Sequence, residues 1–287
     1  MRKIFRAAIG VALISIVFAG CKKEEDTTYM VKVTATAGGT VEGQNGEYKE
    51  GDTVVFKAVP ADGHYFSRWN DNKRNNPRTI HVGTNDITLT AEFATITTVD
   101  LGLTSGTLWA TCNVGALNPW DFGCYYAWGE TQTKSSYEWD NLKYCTNNNG
   151  LIFSKYKYSD TLTILEPTDD AATTWIGADY STPTEDDWNE LKSYCEWVWT
   201  TNYEGHNIAG YIVYKAKSHD AHIFLPAAGW QGTYFYDKNE WGCYWSSSRG
   251  DSENDGGYCT FNSRNVSVSE MRRCDGYSVR PVRHKKQ

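Results

Sequence analysis

Cysteine, histidine and clustered carboxylates are the side chains here that could do chemistry, and their spacing limits what it would be. Eight cysteines stand at positions 21, 112, 124, 145, 195, 243, 259 and 274. No CxxC pair and no Cys/His cluster with zinc spacing occurs among them. The seven beyond Cys21 are odd in number, so at least one thiol stays unpaired even where an exported location permits disulfides. A reactive thiol needs a neighbouring cation or helix N-terminus to lower its pKa. Cys259 and Cys274 are the pair to test, and only Arg272 and Arg273 stand beside Cys274. His219 and His222 are spaced i, i+3, which suits a metal on a helix. Their stretch leads into a strand-like run, however, and reads as a polar hairpin loop. Glu166, Asp169 and Asp170 could supply oxygens to calcium, but carboxylates at a helix start are equally explained by capping and the helix dipole; capping is the reading adopted. No Gly-x-Ser-x-Gly elbow or phosphate-cradling loop is present. The expectation is a binding protein, not an enzyme, with no catalytic residue, no metal and no cofactor.

Binding chemistry is concentrated near the C-terminus. From Ser246 to Asp275 the chain is polar and rich in turn residues, and the candidate ligand-reading residues are Arg249, Asp251, Glu253, Asn254, Asp255, Tyr258, Arg264, Asn265, Ser267, Ser269 and Arg272. Within 265–269, Val266 and Val268 alternate with small polar residues, so one face is anchored and the other displays Asn265, Ser267 and Ser269. Tyr, Ser, Gly, Asn and Arg are residue types that adapt or anchor at low entropy cost in binding loops.

The elements that must carry this surface begin after a targeting segment. Arg2, Lys3 and Arg6 precede an apolar run from Ala7 to Ala19, which as a helix would span roughly 20 Å at about 1.5 Å per residue, against a hydrocarbon core of roughly 30 Å. Residues 1–20 therefore read as a signal peptide. Val17-Phe18-Ala19-Gly20-Cys21 resembles a bacterial lipobox, which implies acylation of Cys21, a membrane tether through that lipid, and an acidic tether over 21–29. Lys22-Lys23-Glu24-Glu25-Asp26 resembles the export signal of surface-displayed lipoproteins, implying a cell-surface, outer-membrane location. Loss of three leader cations takes the formal charge from −7 to −10. With no Lys/Arg stripe, that excludes nucleic acid as a partner.

Residues 30–96 read as a small all-β unit. Period-two alternation runs through 31–35, 54–58 and 87–93, with turns at Gly38-Gly39, Asn45-Gly46, Gly51-Asp52 and Asp62-Gly63. Val54, Phe56 and Ala58 share one face, Ile87, Leu89, Ala91 and Phe93 another, with Phe66 and Trp69 completing the core. Trp69-Asn70-Asp71 is a core Trp followed by a turn. Gly38-Gly39-Thr40-Val41, Tyr48 to Val54, Ala58 to Trp69 and Thr90 to Phe93 together resemble the divergent internalin-type B repeat, which implies a spacer or adhesive stalk module.

Residues 97–287 form a larger unit holding eleven of the twelve tryptophans, a length ample for one core. A first helix is expected over Pro167–Trp175. A second begins after Thr184 as N-cap, with Glu185, Asp186 and Asp187 in its first turn and Trp188, Leu191 and Cys195 as its buried stripe. Strands are expected at Ile223–Pro226 and Tyr277–Val282. Asp100-Leu101-Gly102-Leu103, Trp109 to Gly115, Tyr126 to Thr131, Phe224 to Gly229, Tyr244 to Ser248 and Gly276 to Val282 occur in an order that resembles the Fibrobacter succinogenes major paralogous domain. That resemblance implies a C-type-lectin-like mixed α/β domain whose first and last strands pair, Val99–Leu103 with Val279–Val282. The whole is then expected to be α+β, a β repeat module followed by a lectin-like recognition head for a protein or glycan ligand. The alternatives are a structural subunit of a surface assembly and an accessory of a polysaccharide-binding system. A formylglycine-generating-like enzyme is the remaining comparison within that fold, and the closing motif 276–280 lacks its cysteine.

Overall fold

The computed structural model describes residues 27–61, 63–71, 73–147 and 151–285. The expected signal peptide and Cys21, with its expected lipid, lie outside the described residues. Among those described, no helix is long and apolar enough to cross a membrane.

Alternating apolar residues build the first unit from seven strands: β1 (Thr28–Ala35), β2 (Gly39–Glu42), β3 (Gly46–Lys49), β4 (Thr53–Pro60), β5 (His64–Trp69), β6 (Arg78–His81) and β7 (Ile87–Thr95). They form two sheets, ordered β3-β1-β7-β5 and β2-β4-β6, with β1 and β7 parallel. Val54, Phe56 and Ala58 point inward from β4, and Leu89, Ala91 and Phe93 from β7, as the period-two pattern requires. Trp69 is fully buried at the centre, and its indole N–H donates to the Asn75 carbonyl at 3.0 Å. Asp71 in the turn that follows accepts both arms of Arg78 at 2.7 Å.

The second unit continues through β8 (Thr98–Asp100), β9 (Leu108–Ala110), β10 (Tyr125–Tyr126), β11 (Cys145–Asn147), β12 (Leu151–Phe153), α1 (Ala171–Ile176) and α2 (Glu185–Tyr194). Hairpins follow: β13 (Cys195–Thr200), β14 (Gly210–Lys215), β15 (His222–Pro226), β16 (Trp230–Gln231), β17 (Phe235–Tyr236), β18 (Gly242–Arg249), β19 (Asp255–Asn262) and β20 (Asn265–Arg272). The short β21 (Tyr277–Ser278) and β22 (Val282–Arg283) close the chain. The main sheet runs β10-β21-β18-β19-β20, flanked by β13-β14-β15 and β22-β9-β8. Thr184 caps α2 in a capping box with Asp187, and Trp188 and Leu191 are its buried stripe.

The α+β expectation, with a C-type-lectin-like mixed α/β second domain, is corrected by this architecture. Among the described residues strands take 43% and helix 9%, so the fold is all-β and sandwich-like in character. The physical reason is visible at Cys195. It does not extend the stripe of α2; it ends the helix and opens β13, because Cys195–Thr200 (CEWVWT) is β-branched and aromatic and pairs along its whole length with β14. The expected first helix shrinks to six residues, with Asp170 as its N-cap. The strand closure also differs. Val282 pairs with Trp109 on β9, which separates β22 from β8, so 99–103 and 279–282 share a sheet without being partners.

The two units are packed together. Trp175 of α1 joins the apolar clusters of both, its ring 6.3 Å from that of Phe66, while its indole donates to the Thr131 carbonyl at 2.6 Å. Tyr65 donates its hydroxyl to the Ala116 carbonyl, and Arg74 Nη1 lies 3.0 Å from Cys124 Sγ. Gly115 makes room for that arginine: its φ is +79°, and a Cβ there would fall 1.9 Å from Arg74 Nη1. Trp175→Ala should therefore cost about 2 kcal/mol and open the junction. The check is thermal unfolding together with limited proteolysis, in which cleavage near residues 95–98 should rise relative to wild type.

Candidate ligand-binding face

The β18–β19–β20 register assigns the two faces of the main sheet. Tyr244, Cys259 and Phe261 enter the core, and Val266 and Val268 pack against it. Cys243 stands opposite Thr260, Tyr258 opposite Ser269, and Thr260 opposite Ser267, so these five side chains share the other face. The alternation read from 265–269 is realised.

Over that face leans a hairpin the sequence reading passed by. Residues 229–241 fold back on themselves through hydrogen bonds from Gly229 N to the Trp241 carbonyl (2.7 Å), Asn239 N to the Ala227 carbonyl (2.8 Å) and Trp241 N to the Asp237 carbonyl (2.9 Å). Gly229 is obligatory at its root, since φ is +66° and a Cβ would meet the Tyr236 carbonyl oxygen at 2.0 Å. Trp230 and Tyr236 stack at 4.3 Å. The rings face solvent: Tyr234 is 70% exposed, Phe235 51%, Trp241 41% and Tyr236 37%. The hairpin divides them: Phe235 packs by Tyr125 on one side, while Tyr236 stacks on Trp230 on the side that also carries Trp241.

Between hairpin and sheet runs a groove of about 340 Å³. Trp230, Trp241 and Met271 supply apolar walls; Asp237, Thr260, Arg272 and Asp275 supply polar groups. Asp275 is buried, and Arg272 Nη2 lies 3.1 Å and 3.3 Å from its two carboxylate oxygens. Burial pushes the Asp275 carboxyl above its ordinary pKa, and Arg272 opposes that rise. Asp237 accepts the Trp230 indole N–H at 3.2 Å. Rings beside a fixed charge pair suit a ligand with an apolar face and hydroxyl edges.

The eleven expected site residues do not converge. Tyr258, Ser267, Ser269 and Arg272 belong to the groove and its sheet face. Arg264 and Asn265 occupy the hairpin tip at the far end of β19, roughly 23 Å from Asp255 at about 3.3 Å per residue. Arg249, Asp251, Glu253, Asn254 and Asp255 form a loop pinned to its neighbours. Arg249 Nη1 donates to the Lys157 carbonyl (2.8 Å), Tyr158 OH to the Asp251 carbonyl (2.7 Å) and Tyr158 N to Glu253. Arg273 N donates to the Asn254 carbonyl at 2.9 Å and its Nε to the Asp255 carbonyl at 3.1 Å. The residues missed are Trp230, Asp237, Trp241, Thr260 and Asp275. Their signal was five aromatics between 230 and 241 with no aliphatic residue among them, a composition that does not fill a core.

The other chemistry-bearing groups serve structure. All seven described cysteines are free. Burial pushes the Cys274 and Cys243 thiols up to about 12 and raises Cys259 too, the opposite of what a nucleophile needs. His219 sits in the β14–β15 turn, 2.6 Å from Glu196, and stacks on Tyr214. Asp170 caps α1 through the Ala172 and Thr173 amides. Among the described residues no three His, Cys, Asp or Glu side chains gather to hold a metal ion.

With the geometry in place, the chain can be set beside known proteins. Residues 29–97 match the divergent InlB B-repeat domain. No curated protein and no solved structure matches the chain. The repeat spans strands β1–β7, so the match covers the first unit and does not extend to the groove-bearing one.

Proposed function

We propose that this protein is a surface-displayed recognition protein, tethered through lipidated Cys21, that holds a saccharide in the groove between the 230–241 hairpin and the main sheet. The observation that carries the reading is the half-buried Trp230 ring, stacked by the exposed Tyr236, together with the exposed Trp241 ring, beside the Arg272–Asp275 pair. Flat aromatic faces cover the C–H face of a sugar, while the ion pair and the Thr260 hydroxyl meet its hydroxyls. The six ordered motifs between Asp100 and Val282 support kinship of the second unit with the Fibrobacter succinogenes major paralogous domain as a sequence family. A B repeat in front of it suits display at a surface. The reading is one of binding without turnover, as an adhesin or as part of a polysaccharide-capturing system.

A glycan array probed with the full chain, followed by calorimetry with neutral hexasaccharides of glucose, xylose and mannose, tests this. One series should bind, and Trp241→Ala should weaken it about tenfold, the equivalent of about 1.4 kcal/mol. Binding of none, or equal binding by Trp241→Ala, would count against the groove.

A further inference from the structure

A second concave site lies at the seam between the two units, and its chemistry differs from that of the groove. Its volume is about 640 Å³, within the range of small-ligand sites. The repeat contributes Arg68 and Arg74; the second unit contributes Trp120, Tyr125, Phe235 and Lys238 among its walls. Arg68 is engaged, its Nε 2.7 Å from Glu92. Arg74 contacts the Cys124 sulfur and has no carboxylate partner among the described residues. Lys238 stands 3.7 Å from the centre of the Phe235 ring and 5.7 Å from those of Phe122 and Tyr125, again with no carboxylate partner among the described residues. Crowding by these rings desolvates the ammonium and holds its pKa below the ordinary lysine value. The one carboxylate on the walls, Asp121, already accepts the Leu117 and Asn118 amides at 3.1 Å and 2.9 Å. On a chain of formal charge −7, this seam sets three cations, Arg68, Arg74 and Lys238, against the one wall carboxylate; two of the three have no carboxylate partner among the described residues, and Trp120 stacks on His206 at 3.7 Å beside them.

We infer that this seam binds a carboxylate-bearing sugar, a uronic-acid residue of an acidic polysaccharide, with Arg74 and Lys238 taking the carboxylate and the Trp120 and Phe235 rings covering the sugar ring. Arginine matches a carboxylate bidentately, and desolvated ammonium over aromatic faces gains most from a new anionic partner. Because Arg74 belongs to the repeat and Lys238 to the second unit, the ligand also ties the two units together. The site is separate from the groove: the hairpin is their shared wall, with Phe235 and Lys238 on one side and Trp230 and Trp241 on the other.

Calorimetry on the full chain with trigalacturonate, maltotriose and sodium sulfate tests the inference. Trigalacturonate should bind, and its affinity should fall as salt rises from about 0.05 M to about 0.5 M. Lys238→Ala should weaken it about tenfold or more, Lys238→Arg much less, and Arg74→Ala by at least as much as Lys238→Ala. Maltotriose should bind this seam at least tenfold more weakly. Arg74→Ala also removes the contact with Cys124, so Lys238→Ala, with no hydrogen bond to lose, is the deciding variant. Trp241→Ala should leave trigalacturonate binding intact while weakening neutral-sugar binding about tenfold, so the two sites can fail independently. No trigalacturonate binding, binding indifferent to Lys238→Ala, or displacement by sulfate at equal concentration would overturn the inference.

Discussion

Replacing Arg280 by methionine should lower the unfolding free energy by about 3–5 kcal/mol and the thermal midpoint by about 10 °C, taking about 2–4 °C per kcal/mol for a chain of this size. Arg280 has no exposed surface and meets no carboxylate among the described residues. Its Nε donates to Asn113 Oδ1 at 2.8 Å, Nη1 to the Ala110 carbonyl at 2.9 Å and Nη2 to the Phe224 carbonyl at 2.8 Å. One guanidinium thus ties the end of β9, the loop that follows it and β15 to the closing strands. Burial lowers its pKa, so the charge itself is costly, and methionine relieves that cost. The three acceptors it leaves behind outweigh the relief, because each loses a charge-assisted partner in the buried interior. Arg280→Lys should fare little better, since one ammonium cannot hold the planar fork of three directions. Differential scanning calorimetry of the two variants measures both.

Replacing Asp169 by asparagine should cost about 2–3 kcal/mol near neutral pH and flatten the acid limb of the stability curve. Burial alone would raise the pKa of Asp169, whose side chain has 0% exposure. Hydrogen bonds from Lys143 (2.7 Å), Lys155, Tyr156 (2.8 Å) and Tyr144 (2.9 Å) outweigh it and hold the carboxyl at about 2. A folded pKa below the unfolded one means the stabilisation is fully present above the unfolded value near 4 and is lost as pH falls through about 2. Wild type should therefore lose this contribution between about pH 4 and pH 2, whereas Asp169→Asn has none to lose there. Denaturant unfolding at pH 7, 4 and 3 gives the comparison; parallel curves for the two proteins would contradict the assignment.

These two residues show what the chain discloses before it is folded. Asp169 was visible as one of three carboxylates near a helix start, but its partners come from residues 143–156, and nothing local announces that two lysines and two tyrosines converge on it. Arg280 stood in a recognisable closing motif, yet its acceptors are carbonyls that no side-chain pattern records. Period-two alternation over 54–58 and 87–93 was legible because one sheet face is buried and the other wet, and Thr184 because a capping box is a local event. The failures were non-local. CEWVWT follows α2 without a breaker, so Cys195 continues the helical spacing of Trp188 and Leu191, and only pairing with the distant β14 turns the segment into a strand. The polar run 249–255 reads as a ligand-reading loop, and what the sequence does not show is that its backbone carbonyls at 251, 254 and 255 and the Arg249 and Glu253 side chains are held by residues 157–158 and 273, which fixes the loop in place. The aromatic hairpin went the other way. Its composition alone does not say where the rings point, because their exposure is decided by how tightly 229–241 closes on its own backbone.

The most direct test of the central claim is the response of the indole N–H signals in a nitrogen–proton correlation spectrum of the full chain, assigned by Trp230→Phe and Trp241→Phe. On titration with the neutral hexasaccharide selected by the array, those two signals should shift together and saturably, while the buried Trp109 and Trp188 stay in place. Saturable shifts confined to the amides of residues 249–255, with both indoles unmoved, would contradict the account.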